Sequence, residues 1–224
     1  MDFGLSPEQL RTGIIFFLLI FSVLVLRAYA QAWLADRLGD PTPRSDGRVT
    51  LYPPPHVDLI GTVVLPLVCV LFFQPQLTRI NFFLAWTKPV PTNPAYFKNP
   101  RRGELFVQFA GFGMCILLGL LAAVIGGLLL RATGELKVRE LTLGILSICA
   151  MLMVLDLLPV PPLPGGMLLR YWGFISEETY LAIARWAGLG LLIAFQFPPV
   201  RQFLGLCAAV MAAPFVILFS LVVG

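Results

Sequence analysis

The sequence predicts an all-α polytopic membrane protein of about six transmembrane helices, with a small hairpin and a Pro-rich re-entrant or interfacial loop. Three observations carry this. First, the 224 residues are 58% hydrophobic and only 12% charged, with mean hydropathy +0.86, whereas a soluble domain carries about 25% charged residues. Second, runs at 13–34, 57–74, 104–131, 140–159, 178–197 and 203–223 approach or exceed the roughly 20 apolar residues that span a bilayer. Third, these runs are continuously apolar and do not alternate, which excludes a β-barrel. They use most of the chain, so a single membrane domain is expected over 1–224, with a core at 13–170 and two extra C-terminal helices within 178–223.

Each element has its own signals. Ser6, Pro7 and Glu8 can start a helix after a short polar lead. The first run has only Arg11 before it and no small-x-small cleavage site soon after, so it is expected to persist as a helix ending near Gly39. Residues 40–56 are rich in turn formers, and Asp46-Gly47 fits a hairpin turn. Gly61 and Pro66 predict a kink in the second run. Residues 75–103 contain Pro75, Pro89, Pro91, Pro94 and Pro100, which forbid a regular helix. Irregular backbone at membrane depth survives only against protein or water. The third run presents Gly111, Gly119, Gly126 and Gly127 for close helix packing. The fourth is broken by the prolines of 156–166, and F-P-P-V-R (197–201) separates the last two. There is no internal repeat.

The charges and rarer residues exclude several functions. The net charge is +4 and the basic residues are scattered, which argues against nucleic acid as a partner. Arg37, Arg44, Arg48, Lys88, Lys98, Arg101, Arg102 and Arg170 on one side outnumber Arg11, Arg131, Lys137, Arg139 and Arg201 on the other, with Arg79 ambiguous. An orientation with the N-terminus outside and the C-terminus inside is expected. Cys69, Cys115, Cys149 and Cys207 lie in apolar runs without C-x-x-C spacing and read as small hydrophobes. His56 is the single histidine and reads as a hydrogen-bonded structural residue beside Asp58. Trp33, Trp86 and Trp172 read as interface markers, and Glu177-Glu178 as charges at a helix start.

Residues 24–40 read L-V-L-R-A-Y-A-Q-A-W-L-A-D-R-L-G-D. A helical H-E-x-x-H places two zinc-binding His at i and i+4 with a Glu base beside the metal. Here Arg27, Ala28 and Gln31 stand at those positions in similar surroundings. Four segments carry the comparison further. Residues 28–62 look like a first core helix and its following hairpin, and A-W-T-K-P-V-P-T-N-P (85–94) resembles G-W-A-K-P-V-P-x-N-P. R-R-G-E-L-F-V-Q-F-A-G-F-G-M-C (101–115) resembles an A-G-P-x-x-N helix start, and D-L-L-P-V-P-P-L-P-G-G (156–166) resembles N-x-L-P-x-x-P-L-D-G-G. With these motifs in this order from about residue 20 to 170, the chain resembles the site-2 protease family of intramembrane zinc metalloproteases.

The departures fall on the family's catalytic positions. Its first His is Arg27, its Glu base Ala28, its second His Gln31, and its Asp ligand before Gly-Gly is Pro164. The Asn of the last motif is Asp156, and the Pro and Asn of A-G-P-x-x-N are Phe112 and Cys115. Zinc hydrolysis needs about three protein ligands, an open water position and a base. Arg offers no lone pair, Gln is a poor zinc ligand and Pro has no side-chain donor. The expectation is therefore no metal, no cofactor and no catalysis at these four degenerate positions.

Arg27 has two readings, snorkelling to the headgroups or a buried pair replacing the metal. The resemblance implies that the first helix meets the end of the fourth, which makes Asp156 the candidate partner, with Gln31 on the same face completing a network. The leading functional expectation is a non-catalytic pseudoprotease acting as a structural, accessory or regulatory subunit of a multi-subunit membrane complex. The alternatives are a free pseudoprotease that captures transmembrane helices or regulates an active protease, an active metalloprotease with an unrecognised site, and transport through Arg27 and Asp156. The expected partners are other membrane proteins and lipids, in a bacterial or archaeal cytoplasmic membrane.

Overall fold

The computed structural model describes residues 6–72 and 85–224. Helix α1, Pro7–Arg37, opens with Glu8 in its first turn and closes with Arg37 in its last, both complementing the helix dipole. Gly39, at φ +105°, turns the chain out of it. A four-residue helix follows, α2, Thr42–Ser45.

This helix occupies the place of the expected hairpin, and no strand occurs among the described residues. Pro43 lies inside α2, in its first turn, where a missing N–H costs no helical bond. Gly47 takes φ +67°. The Gly47 N–H donates to the Arg44 carbonyl at 3.0 Å and the Arg48 N–H to the Pro43 carbonyl at 2.8 Å, which closes α2 by a Schellman motif. The Asp-Gly pair supplies a left-handed residue to a helix end instead of to a β-turn.

After a 3-10 turn at Pro54–His56, a π-helical stretch, Leu59–Val64, is capped by Asp58 and leads into α3, Leu65–Phe72. The expected irregularity at Gly61 takes this form. A Cβ on Gly61 would stand 2.2–2.3 Å from Trp86 ring atoms, so the glycine lets the indole lie on the backbone. Residues 85–99 are irregular apart from a 3-10 turn at Pro94–Tyr96. The remainder of the expected loop, with Pro75 and Arg79, lies outside the described residues.

Helix α4, Pro100–Thr133, starts where Asn99 accepts the Arg102 N–H, and ends on Gly134 at φ +66°. Helix α5 is Leu136–Leu157. Prolines do end α5, but Pro164 then begins another helix, α6, Pro164–Tyr171, because proline suits a first turn. Ser176 caps α7, Glu177–Ala194, and α8 is Pro198–Val223.

Among the described residues, four helices are long and apolar enough to cross a membrane: Leu10–Arg37, Pro100–Thr133, Leu136–Leu157 and Pro198–Val223. The chain is thus an integral membrane protein by the length and composition of its helices, with four candidate spans against the six expected. The described part of the second run, α3, is too short. The fifth, α7, carries Glu177, Glu178 and Arg185 within 18 residues, too many charges for an uninterrupted apolar segment.

Helix α5 is the hub. It packs against α4, α8 and α1, and residues 148–156 are all buried. Its core neighbours include Ile20 and Leu24 of α1, Cys115 of α4 and Phe215 of α8. A helix apolar on every side belongs in such a centre. The glycine face of α4 sets the spacing. A Cβ on Gly126 would come within 2.1 Å of Thr142 Oγ1 on α5, and one on Gly119 within 2.9 Å of the Phe215 ring.

Gly126→Ala should therefore lower stability by about 1–3 kcal/mol, the usual cost of overpacking. Gly113, with no atom of the described residues within 4 Å of a Cβ position, provides the contrast. Gly113→Ala should be neutral or stabilising by up to about 1 kcal/mol, as for an unhindered helical glycine. Thermal denaturation of both variants in one detergent checks the pair.

Candidate functional site

Three helices bring the predicted positions together. Arg27 and Gln31 lie one turn apart on α1, Cys115 on α4, and Asp156 in the last turn of α5. Arg27 Nη2 donates to both carboxylate oxygens of Asp156, at 2.6 and 2.8 Å. Its Nη1 donates to Cys115 Sγ at 3.3 Å. The two charged side chains are 12% and 6% exposed, so the guanidinium is turned into the bundle and not toward the headgroups.

Gly111 makes room for this arrangement. A Cβ there would lie 3.3 Å from Arg27 Nη2 and 3.4 Å from Gln31 Nε2. Gln31 Nε2 donates to the Gln108 carbonyl at 3.2 Å, which ties α1 to α4 beside the pair. The expected role of Gln31 in the charge network is thus replaced by a backbone bond. Ala28 is fully buried. Pro164 is buried at the start of α6, and Gly165 and Gly166 press on their own preceding loop, where added Cβ atoms would meet backbone at 2.5 and 2.3 Å. Among the described residues no three His, Cys, Asp or Glu side chains gather as metal donors. The guanidinium engages both oxygens of the nearest carboxylate, offers no lone pair of its own, and its charge opposes a dication. This donor set does not fit zinc.

The frame around the pair is held by buried polar groups. Asp40 is fully buried. It accepts the Thr42 N–H at 3.0 Å and the Asn93 N–H at 2.7 Å, which fastens the 85–97 loop to the end of α1. Thr62 Oγ1 donates to the Trp86 carbonyl at 2.7 Å, and the Lys88 N–H donates to the His56 carbonyl at 3.0 Å. Buried Arg48 pairs with Asp46 at 2.9 Å. His56 Nε2 bonds the Thr50 carbonyl at 2.8 Å, while its buried Nδ1 has no hydrogen-bond partner among the described residues. The bond to a carbonyl assigns the proton to Nε2. Burial holds the imidazole pKa below its ordinary 6.5, and the Arg48 cation adds to the shift.

Two groupings escaped the sequence reading. Cys115 was read as a small hydrophobe, yet its thiol meets Arg27. Its place at the family's Asn position was the available signal. Arg170 enters the sequence reading only through the orientation balance, but it binds Glu104 at 2.5 Å and Glu177 at 2.8 Å. Glu104 and Arg170 lie 66 residues apart, and no local pattern announces their meeting.

Comparison with known proteins finds the chain 30% identical over 146 residues to "Putative zinc metalloprotease YwhC" of Bacillus subtilis (strain 168), covering 61% of this chain. The match spans 58% of that protein's length. No family model matches the chain. No solved structure matches it.

The charge pair yields a double-mutant test. Arg27→Ala and Asp156→Ala should each destabilise by about 3–5 kcal/mol, the cost of orphaning a buried charge. The double variant should be milder than their sum. Denaturant titration in detergent checks both statements. His56 yields a pH test. Its folded-state pKa lies below the unfolded value of about 6.5, so the unfolded chain binds more protons and stability falls as pH drops from about 7 through that value. His56→Gln should flatten the decline in denaturation midpoint between about pH 7.5 and 5.5.

Proposed function

We propose that this chain is a non-catalytic membrane protein built on a site-2-protease-like frame, serving as a structural or regulatory subunit of a larger membrane complex. One observation carries the reading: Arg27, at the position of the first His ligand, is buried in a pair with Asp156, at the position of the last motif's Asn, bonded at 2.6 Å. Likeness to a protein named a zinc metalloprotease supports the frame. The side chains at Arg27, Ala28, Gln31 and Pro164 oppose its chemistry. A cation in the place of a dication, with the neutral Asn of the motif exchanged for Asp, is a charge-consistent replacement and not a single inactivating lesion. Asp40, Arg48, His56 and Asn93, which the resemblance counts among the frame residues, are hydrogen-bonded meanwhile. Retention of shape without hydrolytic groups suits a role in binding. The proposed orientation is N-terminus out and C-terminus in.

Purification in mild detergent with quantitative mass spectrometry should recover membrane partners in a fixed molar ratio. A partner population of variable ratio, dominated by single-pass helices, would instead favour a free pseudoprotease that captures such helices. Metal analysis of the same preparation should find far less than one zinc per chain. Stoichiometric zinc that survives dialysis, together with cleavage of a transmembrane peptide, would overturn the non-catalytic reading.

A further inference from the structure

A second site lies away from the charge pair. A cavity of about 460 Å³ opens between the first turn of α4, the end of α6 and the start of α7, lined in part by Arg101, Glu104, Arg170, Tyr171 and Glu177. That volume is in the range of small-ligand sites. Its charges are arranged in two parts. Arg170 is committed: Nη1 donates to both Glu177 oxygens at 2.8 and 3.0 Å, Nη2 donates to Glu104, and its guanidinium stacks 4.8 Å over the Tyr180 ring. One guanidinium between two carboxylates leaves a net charge of −1, and each carboxylate retains acceptor capacity. Arg101 is exposed and makes no ion pair among the described residues, so it is the cavity's uncommitted cation.

Two features place the cavity at the level of lipid headgroups. Helix α4 has 34 residues and is about 51 Å long at 1.5 Å per residue, against about 30 Å of hydrocarbon. Its charged N-terminal segment, with Arg101, Arg102 and Glu104, falls in the surplus. Beside it, Trp172 and Phe174 are 62% and 73% exposed. They flank Gly173 of the cavity wall, with their rings edge-on at 6.3 Å. Exposed aromatics of this kind sit at the membrane–water boundary.

We propose that this cavity binds the headgroup of a zwitterionic phospholipid bearing a primary ammonium, of phosphoethanolamine type. The phosphate pairs with Arg101, and the ammonium donates hydrogen bonds to Glu104 and Glu177. A trimethylated headgroup has no N–H to donate and an anionic one has no cation for the carboxylates, so both fit less well. Met167 and Ile175 in the lining give apolar surface to the glycerol end.

The test uses the full chain in nanodiscs of phosphatidylcholine containing equal fractions of phosphatidylethanolamine and phosphatidylglycerol. The protein is then extracted into mild detergent and the retained lipid is counted by native mass spectrometry. Phosphatidylethanolamine should be retained at about one per chain, about tenfold above either competitor, as expected for one charged hydrogen bond gained. Arg101→Gln and Glu177→Gln should each abolish that preference. Both sites are exposed, and circular dichroism verifies the fold of each variant. Equal retention of the three lipids, or no retained lipid, overturns the proposal. So does a preference that survives both substitutions. Displacement of the lipid by inorganic phosphate alone would show a simple anion site and would also overturn it. None of these outcomes depends on whether the chain is catalytic.

Discussion

The bidentate contact between Arg27 and Asp156 is the constraint around which the bundle is organised. Removing both charges from water costs several kcal/mol each, and their attraction offsets this only with good geometry and further hydrogen bonds. The surroundings supply both. Gly111 removes the one Cβ that would crowd the guanidinium, Cys115 accepts its second donor, and α5 is buried around the carboxylate. Gln31 fixes the α1–α4 spacing through the Gln108 carbonyl. The pair therefore specifies the mutual register of three helices, which apolar surfaces alone would leave free to slide.

A second carboxylate does comparable work outside the bundle. Asp40 joins the end of α1, the start of α2 and the proline-rich loop through two backbone N–H groups. Trp86 lies on Gly61 and accepts from Thr62 through its carbonyl, so the same loop is also fastened to the π-helical stretch. Phe97 packs with Ala35 and Val107 in a small separate core. Restricted prolines and buried acceptors both act on this loop.

Helices α1, α4, α5 and α8 were legible in the sequence because continuous apolar runs have few other meanings. Helix α6 was not, because the prolines of 156–166 signal a break, although proline also begins helices, as Pro164 does here. Asp46-Gly47 misled for a related reason, since one left-handed glycine serves a hairpin or a helix end and the flanking Pro41 and Pro43 decide between them. Of the six expected runs, α7 falls short of a candidate span because it mixes Glu177, Glu178 and Arg185 into an otherwise apolar stretch, and the second run is only partly described. At the site, the resemblance marked the positions of Arg27, Ala28, Gln31 and Pro164, and residue chemistry says what those side chains can donate. The facing of Arg27 and Asp156 was suggested only by family resemblance. Arg170 and Glu104 meet by tertiary folding across 66 residues, a separation beyond any periodicity.

The separation of 129 positions from Arg27 to Asp156 has a consequence for synthesis. The arginine emerges first, in a helix that must enter the membrane with a charge costing about 2.5–3.5 kcal/mol at the bilayer centre. At about 5–20 residues per second, its carboxylate follows roughly 6–26 seconds later. During that interval the helix holds its place through the apolar surplus of α1, whose most apolar window has mean hydropathy 2.3. Nascent α1 is thus an insertion intermediate with an uncompensated cation. Arrival of α5 neutralises that cation, which couples completion of the chain to completion of the bundle.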